Sequence, residues 1–143
     1  MSKDRKSWDA YFIDIAEMVA TRATCDRKHV GALLVIDQRI VATGYNGSIP
    51  GAAHCDEIGH DMLDGHCVRT VHAEANAIAQ AARFGINVTQ ATLYTNTFPC
   101  WPCFKLIASA GIVRVVYDAE YRKDERVIHG ATDAMVSLDH FKR

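Results

Sequence analysis

Two short segments of this 143-residue chain, Val71-His72-Ala73-Glu74-Ala75-Asn76-Ala77 and Phe98-Pro99-Cys100-Trp101-Pro102-Cys103, restrict its fold more than any other feature. Each stands where a helix is expected to begin. Residues 72–84 are alanine-rich and stop at Gly85, so they read as a buried helix with a glycine C-cap. Residues 103–110 read as a second helix closed by Gly111, with Pro102 tolerated near its start. A strand over residues 91–95 separates the two. A fold that brings both helix starts to one point assembles an imidazole, two thiolates with two residues between them, and a carboxylate. Such a set can hold zinc through His72, Cys100 and Cys103 and leave a tetrahedral position open for water.

The amide dipoles of two converging helix starts favour thiolate and any negative charge that develops there. Zinc lowers the pKa of a bound water from ~16 to roughly 7, so hydroxide is present at neutral pH. Glu74 is then the candidate proton carrier, a role that typically contributes roughly 10²–10⁴-fold. The Ala73 backbone N–H is left to meet a substrate carbonyl. The competing reading is a closed structural zinc site, with Glu74 merely favourable in a first helical turn. A lone Cys-x-x-Cys favours that second reading; two such segments with a strand between them favour the catalytic one.

The rest of the chain reads as a three-layer α/β domain. Residues 8–22 place Trp8, Tyr11, Phe12, Ile15, Met18 and Val19 at helical spacing. Residues 30–36 and 40–45 are β-branched runs around Asp37-Gln38-Arg39, which predicts an antiparallel hairpin. Residues 46–70 lose periodicity and collect glycine, cysteine and histidine. They are expected to be a long loop that is functional or ordered by a metal. Residues 112–117 form another strand, and residues 124–141 are expected to form one helix with Gly130 weakening its middle. Strand, helix, strand, helix, strand predicts two crossover helices joining parallel neighbours. One domain spanning residues 1–143 is expected.

Sixteen basic and seventeen acidic residues give a formal charge of −1, a poor balance for gripping long nucleic acid. A small charged ligand suits it better. No apolar run is long enough for a bilayer, and no signal-type stretch follows Met1-Ser2-Lys3-Asp4-Arg5-Lys6, so a soluble cytoplasmic protein with no membrane partner is expected. Five cysteines argue for reduced thiols and metal ligation over a disulfide framework.

His72-Ala73-Glu74 with Pro99-Cys100-Trp101-Pro102-Cys103 resembles the cytidine and deoxycytidylate deaminase superfamily, whose zinc enzymes carry this signature. Cys25-Asp26-Arg27-Lys28-His29-Val30-Gly31-Ala32, Gly44-Tyr45-Asn46-Gly47-Ser48 and His66-Cys67-Val68-Arg69-Thr70-Val71 narrow the likeness to deoxycytidylate (dCMP) deaminases. The likeness runs from the first helix to about Arg122. It implies a cytidine deaminase-like fold with a mixed five-stranded sheet flanked by helices, and hydrolysis of dCMP to dUMP and ammonia. It further implies a homo-oligomer, typically a hexamer, activated by dCTP and inhibited by dTTP with magnesium, at a separate site that includes Gly44, Tyr45, Asn46 and Gly47. By the same resemblance Asn46 contacts the sugar and Glu74 the base.

A nucleotide phosphate requires cationic or multiple N–H donors. Arg22, Arg27, Lys28, Tyr121 and Arg122 are the candidates. Arg27, just ahead of a strand, and Tyr121-Arg122, just after the last one, are favoured because strand ends open sites in α/β sheets. Some dCMP deaminases carry a second, structural zinc, and Cys25, Cys55 and Cys67 remain here with His54, His60 and His66 among them. Cys25, Cys55, His60 and Cys67 are the chosen set, since His54 and His66 each adjoin a cysteine; a closed Cys₃His site would staple the loop to the first helix. The alternative is that these cysteines are small buried hydrophobes. Two functional alternatives remain: a deaminase of cytidine, guanine or a tRNA adenosine, and a non-catalytic nucleotide sensor. Near-neutral charge and the match at residues 44–48 count against tRNA, and a sensor has no need of Glu74.

Overall fold

In the computed structural model, which describes residues 4–120 and 122–143, helix α1 (Trp8–Ala20) opens the fold. Its N-cap, Ser7, accepts a hydrogen bond from the Ala10 N–H at 3.1 Å, satisfying one of the helix's free donors. Strands β1 (Gly31–Ile36) and β2 (Arg39–Tyr45) follow as an antiparallel hairpin. Asp37 and Gln38 both take positive φ, 51° and 56°, at its two-residue turn.

The next stretch differs from the expected long loop. It holds β3 (Gly47–Ser48), α2 (Cys55–Ile58), β4 (Met62–Leu63), β5 (His66–Cys67) and β6 (Thr70–Val71). Strands β4 and β5 form a small hairpin, and β3 pairs with β6. Two-residue strands are too short to show a period, but Asp64-Gly65, at φ 50° and 79°, is a hairpin-turn pair that sequence can reveal.

Helix α3 (Ala73–Arg83), β7 (Thr92–Thr97), α4 (Trp101–Ser109), β8 (Arg114–Ala119), α5 (Glu125–Ala134) and β9 (Ser137–His140) complete the chain. The expected single helix over residues 124–141 is thus a ten-residue helix and a strand. Met135 turns left-handed at φ 59° and ends α5, and the four residues of β9 then pair parallel to β8. Gly130 is also explained. An ideal Cβ there would lie 2.9 Å from the Trp101 ring, so glycine's low helix propensity is offset by close packing of α5 on α4.

The five-stranded sheet has the order β2-β1-β7-β8-β9 and is mixed. Strand β1 is antiparallel to both neighbours, whereas β7, β8 and β9 run parallel. Helix α4 joins parallel neighbours as expected, and α5, expected from the sequence to run on as one helix to residue 141, joins a second parallel pair, β8 and β9. Helix α3 does not: it carries the chain from β2 across β1 to β7, because the hairpin has already filled the position between them.

Alternate residues of β1 serve the two faces. Leu33 and Val35 pack with Phe12, Ile13 and Ala16 of α1, and Ala32 and Leu34 pack with Ala77, Phe104, Ile107 and Val127 of α3, α4 and α5. Each fully buried Phe, Leu or Ile contributes about 1.5–3 kcal/mol. Gly31 lies opposite Tyr45, and Ala32 opposite Thr95. The start of β1 therefore sits between the ends of β2 and β7, so residues 28–30, 46 and 97–100 gather at one edge with the starts of α3 and α4.

Candidate active site

His72 is the N-cap of α3, with extended backbone at φ −66° and ψ 151°, and Cys100 occupies the same place on α4 at φ −76° and ψ 165°. Both therefore stand in the last non-helical position, and Glu74 and Cys103 follow inside the first turns. His72 Nδ1 lies 3.3 Å from Cys100 Sγ and 3.3 Å from Cys103 Sγ. Tetrahedral zinc with Zn–S of about 2.3 Å and Zn–N of about 2.0 Å holds such atoms about 3.5 Å apart, so the triplet fits the ion.

Backbone amides support the sulfurs. The backbone N–H of Cys103 favours the thiolate of Cys100, and that of Ala75 favours the thiolate of Cys103. Hydrogen bonding from Cys103 and His72 pulls the Cys100 thiol down to about 4 despite burial. Cys103 is pushed up by the thiolate beside it and by burial, and the His72 imidazole is raised chiefly by Cys100. Two sulfurs competing to ionise beside one imidazole is the electrostatics of a site built for a cation. Glu74 is 3% exposed, and burial raises its carboxyl above the ordinary range. A carboxyl that keeps a proton nearer neutral pH can both give and take one.

These groups open on a cavity of about 290 Å³ lined by His72, Ala73, Glu74 and Cys100 together with Cys25, Arg27, Lys28, Val30, Asn46, His66, Cys67, Thr70, Thr97 and Phe98. Asn46 is buried, and its amide is largely committed: Oδ1 accepts from Val30 N–H at 2.8 Å and Nδ2 donates to Lys28 O at 2.7 Å. One hydrogen and one lone pair remain for a ligand. Arg22 and Arg122 are exposed and stand outside the cavity lining, and Tyr121 lies outside the described residues. Gly44 is buried beneath α3, while Tyr45 is half-buried and Gly47 is buried against it.

A second constellation gathers beside the first. The side-chain ligand atoms of Cys25, Cys55, His60 and Cys67 lie within 4.8 Å of one another. Cys25 Sγ is 3.4 Å from His60 Nδ1, and Cys55 Sγ is 3.6 Å from Cys67 Sγ, again close to the edges of a zinc tetrahedron. Backbone N–H groups of Arg69 and Asp61 help hold Cys67 down at about 6, and burial with the neighbouring thiols pushes Cys55 up to about 12. His54 does not join them; its N–H donates to Glu57 Oε1 at 3.2 Å.

Sequence reasoning passed over His66, Thr70, Thr97 and Phe98 as cavity residues. For His66 the clue was its place beside Cys67, which belongs to the cluster and lines the cavity with it. Thr97, whose buried hydroxyl has no partner among the described residues, offered no comparable clue.

Residues 6–119 match the family described as cytidine and deoxycytidylate deaminase zinc-binding region. The ComE operon protein 2 of Bacillus subtilis is 46% identical over 119 residues, 83% of this chain and 63% of that protein. A deoxycytidylate deaminase of Mycobacterium phage D29 is 43% identical over 128 residues, 81% of this chain and 98% of the phage protein. This chain spans about half the length of the yeast deoxycytidylate deaminases it matches. The solved structure of dCMP deaminase from the cyanophage S-TIM5 with dCMP and dUMP superposes with a TM-score of 0.83 at 27% identity, covering 99% of both chains.

Proposed function

The chain belongs to the cytidine and deoxycytidylate deaminase zinc-binding family, and we propose that it hydrolyses dCMP to dUMP and ammonia as a single domain. The observation that carries this reading is the buried Glu74 beside His72, Cys100 and Cys103, in a cavity that also presents Arg27 and Lys28. Among these residues His72, Cys100 and Cys103 would hold zinc, and Cys25, Cys55, His60 and Cys67 a second, structural zinc. Zinc held by the first set would supply Lewis acidity that lowers a water pKa from ~16 to roughly 7.

Glu74 carries the protons. It takes one proton from the attacking water and delivers it to the ring nitrogen beside the attacked carbon, then takes the second proton from the same oxygen and passes it to the amine, which departs as ammonia. The Ala73 N–H holds the pyrimidine carbonyl, and the remaining amide hydrogen of Asn46 meets the sugar. Arg27 and Lys28 face the phosphate, where charge-assisted hydrogen bonds are the stronger kind. Tyr121 and Arg122 belong to the same proposal, with Arg122 approaching from outside the cavity. Near-neutral net charge supports a mononucleotide over long nucleic acid.

Assembly as a hexamer, activation by dCTP and inhibition by dTTP with magnesium around Gly44, Tyr45, Asn46 and Gly47 extend the proposal by family resemblance. The burial of Gly44 leaves Tyr45 as the most accessible of those four. The cytoplasm is the proposed compartment. Among the described residues no helix is long and apolar enough to cross a membrane.

Ammonia release from dCMP, cytidine, dCTP and guanine, each with and without dCTP or dTTP plus magnesium, tests the reading. Turnover of dCMP above the others, lost on chelation, is expected. Turnover of another substrate with dCMP inert overturns it.

A further inference from the structure

The second constellation shares its chain segments with the cavity. Cys25 belongs to the cluster and also lines the cavity, and the two residues after Asp26, Arg27 and Lys28, line it too. On the other side Cys67 belongs to the cluster and, with its neighbour His66, also lines the cavity. Between the two lies Asp26, whose Oδ1 is 3.0 Å from His60 Nε2. The opposite nitrogen, Nδ1, is the one 3.4 Å from Cys25 Sγ. A carboxylate accepting the far N–H of an imidazole fixes its tautomer and its ring orientation toward a metal.

We propose that Asp26 is a positioning residue that locks His60 into the Cys25–Cys55–Cys67 cluster, and that this centre thereby sets the wall of the cavity that faces an anionic ligand. This rests on the reading of the cavity as a nucleotide site. Asp26 acts through His60, because it stands outside the cavity lining. The consequence has a definite sign. A carboxylate next to Arg27 that acted only by its charge would weaken anion binding, so neutralising it would tighten the site. A carboxylate that holds the wall in place does the reverse when removed.

The test uses the full chain with both zinc sites filled and four proteins: the parent, Asp26→Asn, His60→Cys, and the double variant. Zinc release to a chromogenic chelator and the kcat and KM for dCMP are measured on each. Asp26→Asn is expected to release its second zinc about tenfold faster, the low end of the range for such partners because Asp26 is largely exposed. It is expected to raise KM several-fold with kcat unchanged.

His60→Cys makes a four-sulfur site with no imidazole to orient, so adding Asp26→Asn to it should change neither quantity. Zinc release unaltered in Asp26→Asn, a lowered KM, or an equal effect in both backgrounds each overturns the assignment. A parent that holds one zinc per chain removes the centre itself. A parent that binds two but leaves dCMP untouched defeats the nucleotide reading, and the zinc-release comparison then still decides the role of Asp26.

Discussion

Gly44 on β2 lies so close beneath Ala73, the first residue of α3, that a methyl group on it would come within 2.2 Å of the Ala73 carbonyl oxygen. The same methyl would lie 2.5 Å from Ala77 N. The helix start that carries His72 and Glu74 is therefore seated directly on strand backbone. Gly44→Ala must lift α3, at a cost of about 1–3 kcal/mol for overpacking. It must also move Glu74, and a displacement of about 1 Å can lower a rate ~10²-fold. Urea unfolding and dCMP turnover of the variant check this; parental values for both would mean that the seat is looser than the structure has it.

A second relationship fixes the opposite face. Arg114 of β8 donates to both Asp9 oxygens on α1, at 3.1 and 2.9 Å, and also to Asp139 of β9 at 2.6 Å. Its guanidinium holds the Asp9 carboxyl below its usual 3.8. A depressed carboxylate contributes stability that is present above the unfolded pKa and is lost as pH falls through the folded one. The parent should therefore lose stability below about pH 4 more steeply than Asp9→Asn. At neutral pH the variant should be weaker by about 1 kcal/mol or less, since both partners are about one-third exposed. Parallel urea midpoints from pH 3 to 7 would contradict the pairing.

The chemistry-bearing residues were legible because each sits at a helix start, where sequence speaks plainly: Pro99 and Pro102 bracket Cys100, and an alanine run follows His72. Hairpin β1–β2 was legible from its β-branched runs. What failed was set by distant pairing. Nothing local to residues 137–140 says strand, since only Leu138 is apolar and the edge of β8 supplies the partner. Nothing local says that α3 crosses over β1. Cavity residues such as Thr97 and Phe98 belong to the site because strand ends converge, a relation that no single segment carries.

Glu74 sits 3% exposed with its carboxyl raised by burial. Raising the folded pKa of an acid means that its ionised form weakens the fold at neutral pH, so a neutral isostere should relieve that cost. Glu74→Gln is expected to lower dCMP turnover roughly 10²–10⁴-fold. It should keep its zinc and melt no earlier than the parent. Thermal melts beside ammonia release separate this from simple misfolding, and full activity would rule out the proton carrier.

Metal removal should reveal two centres with different duties. Cys100 caps α4, a nine-residue helix held by the core through Phe104 and Ile107, so that helix does not depend on an ion to fold. Cys55 begins a four-residue helix flanked by two-residue strands, elements too short to stand without a staple. Cys100→Ser is therefore expected to hold one zinc per chain where the parent holds two, to lose activity, and to resist protease like the parent. Cys55→Ser should also hold one, yet be cut within residues 46–70 at concentrations that leave Cys100→Ser whole. Zinc analysis with limited proteolysis reads both, and equal resistance in the two variants would deny the second centre its structural task.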